Sequence, residues 1–121
     1  VSTSAADETW TRLGAAVQLL HHAALKLWSH ADQAPAAAAV HSLGLGVQLA
    51  HGRAAALLPR EFELPEVEVD DRTALQMITA AEELTRGLPV RQPGSRIDVV
   101  DNSELVVDLC DLIREARGLD Y

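Results

Sequence analysis

The chain has 121 residues, 18 acidic against 10 basic ones, and a formal net charge of −8. That length suits one domain, residues 1–121, able to bury about two-thirds of the surface its unfolded chain exposes. The acidity argues against a nucleic-acid partner, which needs a basic patch to displace counterions, and against an anionic membrane surface.

Aromatic residues make up only 3% of the chain, so the core must be built from Leu, Val, Ile and Ala. Trp10, Trp28 and Phe62 are its few bulky pieces. Lys26 is the single lysine beside nine arginines, the residue usage of a high-GC bacterial genome. No apolar run approaches the ~20 residues that span a bilayer. The segment "VSTSAADETW" has neither the basic region nor the apolar region of a signal peptide, and without an initiator Met a removed leader stays open. The lone Cys110 has no internal disulfide partner, which suits a reducing cytoplasm.

The first predicted helix runs over Ala5–Ala31, with Ser4 as N-cap. Trp10, Leu13, Val17, Leu20, Ala24, Leu27 and Ala31 alternate steps of three and four, one apolar stripe. "DQAPA" then breaks the chain, with Pro35 placed for the first turn of the next helix.

The second predicted helix runs over Ala36–Leu58 and stops before Pro59. Its main stripe is Ala36, Val40, Leu43, Val47, Ala50, Ala54, Leu57 and Leu58. A second stripe, Ala38, Leu45, Leu49, Gly52 and Ala56, lies roughly opposite, and a helix apolar on two sides is usually covered on both. Gly44, Gly46 and Gly52 each cost about 1 kcal/mol of helix propensity relative to Ala, for which close approach of a neighbour is the expected return. A break at "GLG" is the competing reading.

In "PREFELPEVEVDD", Phe62, Leu64, Val67 and Val69 alternate with Glu61, Glu63, Glu66 and Glu68. Alternation predicts an edge strand or a strap laid apolar side down. Asp70 and Asp71 fit the cap and first turn of a third helix over Asp71–Arg86, with Ala74, Met77, Ile78, Ala81, Leu84 and Thr85 inward. Gly87 and Pro89 mark its end. Ile97 and Val99, in the next long connection, could pair with the earlier extended segment. Asp101 with Glu104 resembles a capping box. It would open a fourth helix from Asp101 or Asn102 to Arg117, with Leu105, Val106, Leu109, Leu112, Ile113 and Ala116 inward.

The expected fold is therefore all-α: a four-helix bundle on a long antiparallel helical hairpin, plus two shorter helices and long extended connections. Helices of about 25 Å cannot cover a hairpin of roughly 35 to 40 Å. That mismatch and the second stripe predict a homodimer, with Leu45, Leu49 and Gly52 at its interface.

Three of the five histidines fall in "QLLHHAALKLWSH", residues 18–30. His21 and His51 border their stripes, while His22, His30 and His41 point elsewhere. A turn centred on residues 32 and 33 sets His21 opposite position 44. It leaves His21 and His51 about seven residues, roughly 10 Å, apart, too far to share an ion. No metal site and no cofactor is expected. Cys110 lies between Asp108 and Asp111, whose charges raise a thiol pKa and blunt it as a nucleophile.

The expected function is protein–protein contact, as an adaptor, regulatory or accessory subunit. It would use the second face of helix two or the acidic strap of Glu61, Glu63, Glu66 and Glu68. The alternative is a small-molecule binder or enzyme whose pocket is lined by Trp10, His21, Trp28 and Met77. A metal-dependent enzyme is a third class, with no ligand motif behind it.

Overall fold

The computed structural model describes residues 5–33, 37–58, 62–86, 98–119 and 121. Ser4, Pro35, Ala36, Pro59, Glu61, Gly87, Pro89 and Ile97, all invoked above, lie outside the described residues. The described part is all-α: α1 (Ala5–Ala31), α2 (Ala37–Ala56), α3 (Ala74–Thr85) and α4 (Asp98–Gly118). None of these helices is long and apolar enough to cross a membrane.

α1 occupies the predicted span, and Leu13, Val17, Leu20, Ala24, Leu27 and Ala31 are all buried. Burial is wider than that stripe, because Ala16, Leu19 and Ala23 are buried as well. The reason is that α1 packs against both α2 and α3, so two of its faces leave water. α4 in turn packs against α3 and α2. Each fully buried leucine contributes about 1.5–3 kcal/mol of transfer free energy, so α1 carries much of the core.

α2 buries Val40, Leu43, Val47, Ala50 and Ala54, and runs unbroken through "GLG". The glycines differ in what they permit. A Cβ on Gly44 would clash with Nε1 of Trp28, and one on Gly46 would lie 2.7 Å from Cδ2 of Leu112. Those two admit close neighbours from α1 and α4. Gly52 faces open space, so the expected close approach does not extend to it within the chain.

Residues 62–69 are neither helix nor strand; they form a strap. Val67 and Val69 pack against the core while Glu63, Glu66 and Glu68 are exposed. Gly14 of α1 lets the strap lie close: its Cβ would meet Phe62 at 2.8 Å and Pro65 at 2.9 Å. Strand pairing with Val99 is overturned, since Val99 belongs to α4. Asp101 accordingly sits inside α4, not at its cap.

The predicted cap of α3 also moves. Asp71 takes the left-handed conformation, φ 62°, in a turn closed by Arg72 N–H donating to the Val69 carbonyl. Lys26 Nζ donates to the Arg72 carbonyl at 2.5 Å and ties that turn to α1. Thr73 is the N-cap: its hydroxyl accepts from Gln76 N–H at 3.1 Å, and the Gln76 side chain accepts from Thr73 N–H at 2.8 Å. This reciprocal pair satisfies two backbone donors that a carboxylate at position 71, two residues farther out, cannot reach.

One length differs from expectation. α4 has 21 residues and α2 has 20, so only α3, with 12, is short. The mismatch between a long pair and a short pair is correspondingly smaller.

Candidate functional site

The histidines come together where sequence spacing kept them apart. The His21 and His51 rings have centroids 5.5 Å apart at a 40° tilt, across α1 and α2. His22 presents its ring edge-on to His21, also with centroids 5.5 Å apart. The expected 10 Å separation is therefore wrong, and register is the cause. Trp28, not His21, lies over Gly44. The pairs 28/44 and 21/51 both centre on position 36, some three residues later than assumed, and that shift moves every pairing by a heptad.

His51 is half-buried, and its Nδ1 is shielded from solvent without a hydrogen-bond partner. Burial, and next the neighbouring His21, hold its pKa below the ordinary imidazole value of 6.5. The folded chain thus disfavours the His51 imidazolium. The unfolded chain protonates His51 as pH falls below about 6.5, while the folded chain resists until its own lower pKa is reached. Stability contributed by neutral His51 is present above 6.5 and lost across that window. Thermal denaturation from pH 7 to 5 should show a shallower fall in Tm for His51→Gln than for the parent. Equal slopes would sink this assignment.

The other two histidines are exposed. His41 Nε2 lies 3.2 Å from Asp32 Oδ1, and His30 faces solvent. Among the described residues no group of three or more His, Cys, Asp or Glu side chains is arranged to hold a metal ion.

Trp10, His21, Trp28 and Met77 do not share one cavity. Trp10 and Trp28 stand about 27 Å apart along α1 at 1.5 Å per residue. Met77 is 1% exposed and belongs to the core. Trp28, 36% exposed, is the lid on Gly44.

The second stripe of α2 is exposed throughout: Ala38, Leu45, Leu49, Gly52 and Ala56 all face solvent. Leu45 is 59% and Leu49 73% exposed. Beside them a groove of about 330 Å³ runs between α2 and α4, with Gly46, Ala50 and Leu112 in its lining. An Arg53–Asp108 ion pair bridges the two helices there.

Sequence reasoning missed one residue altogether. Glu82 is 4% exposed and faces α4, where Cys110 Sγ donates to its Oε1 at 3.6 Å. Arg86 binds both carboxylate oxygens, Nε to Oε1 at 3.0 Å and a terminal nitrogen to Oε2 at 2.6 Å. Hydrogen bonding to Arg86 is the main reason the Glu82 pKa lies below the ordinary range. The Cys110 thiol is pushed up, first by burial and then by Glu82. The thiol is blunted as expected, but by burial first and then by an acid across the helix interface; the flanking Asp108 and Asp111 are not its source. A Glu four residues before an Arg was the available signal.

No family model matches the chain, and no curated protein or solved structure matches it either.

Proposed function

We propose that this chain is a homodimeric helical-bundle protein acting through protein–protein contact, as an adaptor, regulatory or accessory subunit. In this reading α1 and α2 form a long antiparallel hairpin, four helices make one domain, and the outer face of α2 meets a second copy. The observation that carries it is the exposed second stripe. Ala38, Leu45, Leu49, Gly52 and Ala56 follow one another by seven, four, three and four residues, the seam spacing of a helix that packs along another. Two leucines at 59% and 73% exposure hold the centre of that seam. The small residues at its ends would let a second α2 approach closely. A two-fold axis makes such a contact self-complementary, which fits a single stripe serving both partners. The lone Cys110 supports a reducing cytoplasmic setting.

Light scattering across a concentration series tests the reading. The parent should have twice the chain mass, and Leu45→Asp/Leu49→Asp should be a folded monomer. Because both positions are exposed, the double variant should change monomer stability by only about 0.5 kcal/mol per site. A parent that is monomeric at every concentration would retire the proposal.

A further inference from the structure

The geometry points to a two-imidazole chelate: His21 of α1 and His51 of α2 together bind one late first-row divalent ion, of the Zn2+, Ni2+ or Cu2+ class. This proposal is independent of the dimer reading, because it uses the α1–α2 seam and not the outer stripe of α2.

Distance is the first argument. Two imidazoles on one tetrahedral ion, each with a metal–nitrogen bond of about 2.1 Å, place their ring centroids roughly 5.3 Å apart. The His21 and His51 centroids are 5.5 Å apart. Little movement of either helix is required, since both rings are already carried on rigid α-helices whose contact is fixed nearby by Trp28 over Gly44.

The second argument is the shielded Nδ1 of His51, which has no hydrogen-bond partner. A buried polar atom without a partner is uncommon and calls for an explanation. A neutral imidazole nitrogen offers a lone pair to a metal, and the protein supplies no competing donor to that atom.

Ligand chemistry sets the class of ion. Imidazole nitrogen suits zinc, copper and nickel, whereas magnesium and calcium require oxygen ligands. No set of three ligands converges among the described residues, so the two imidazoles are the protein's whole contribution and solvent supplies the rest of the shell, which requires the His51 ring to turn enough to open its shielded Nδ1. His22 touches His21 edge-on but follows it directly in the helix, pointing about 100° away at 3.6 residues per turn. The chelate therefore excludes His22. The overall charge of −8 favours cation approach.

Calorimetric titration of the chain with ZnCl2 and NiCl2 near neutral pH, with MgCl2 as control, is the test. One saturable event per chain is expected for zinc and nickel and none for magnesium. His21→Ala and His51→Ala should each weaken binding about a hundredfold, as a chelate becomes a single ligand, and His22→Ala and His41→Ala by less than roughly twofold. Cu2+ bound to the parent should show hyperfine splitting from two nitrogens, and Zn2+ should raise the Tm of the parent but not of His51→Ala. If His51→Ala is poorly folded, His51→Gln gives the same reading with the side-chain volume kept. Absence of saturable binding, or equal binding in the parent and the His51 variants, would overturn the proposal, as would a loss of affinity in His22→Ala.

Discussion

Met77→Ala should cost about 2–5 kcal/mol of unfolding free energy, the range for truncating a buried methionine or leucine to alanine. Met77 is 1% exposed and sits in α3, the shortest of the described helices. A 12-residue helix is marginal in isolation, so α3 depends on its packed face. That face is small: Ala74, Met77, Ile78, Ala81 and Thr85, with Glu82 at its edge. Met77 and Ile78 are its only fully buried large apolar members, with Leu75 and Leu84 partly buried against the core, and removing one withdraws much of what holds α3 in place. Urea denaturation measures the loss as a lower midpoint at unchanged slope. Met77→Leu should cost less than about 1.5 kcal/mol, because volume is kept. A Met77→Ala variant as stable as the parent would mean that the side chain lines open space, as a ligand pocket requires.

Arg86→Ala should be the second large effect, read as a lower urea midpoint than that of the parent. Removing one partner of a fully buried pair is strongly destabilising, and an exposed pair is worth little. Here the Glu82 side chain is 6% exposed and that of Arg86 67%, so solvent screens one end and the cost falls between those limits. The cost arises from a carboxylate left in the α3–α4 contact with only the weak Cys110 donor. Glu82→Leu/Arg86→Ala should recover most of the loss, since no buried charge then remains. The pH dependence has a definite sign. The Glu82 pKa is lowered in the fold, so the stability it contributes is present above about 4.5 and is lost as pH falls through the lowered value. Acid denaturation of Arg86→Ala should lack that component. An Arg86→Ala chain with parental stability and an unchanged acid limb would show the pair to be inert.

The residues of α1 illustrate what the sequence by itself determined. Steps of three and four from Trp10 to Ala31 report the 3.6-residue repeat of one continuous segment, and the break at "DQAPA" marks where it ends. The inward rows of α2, α3 and α4 came from the same local repeat. Thr73 and Gln76 were equally legible, because a capping box closes within four residues; the adjacent acids drew the boundary away from them.

Pairing between helices is another kind of quantity. The register of α1 on α2 depends on where a short connection turns, and an error of about three residues there carried His21 from position 44 to His51. Only the packed molecule, with Trp28 seated on Gly44, decided it. The same holds for Glu82, whose partner Cys110 lies 28 residues away on α4. The open second stripe of α2 is a third case: its pattern is local, but whether anything covers it depends on how far α4 extends and where the strap runs. Hydrogen bonds and periodicity within a helix are written over a few residues. Register, contact across helices and exposure are settled by the simultaneous packing of segments far apart in the chain.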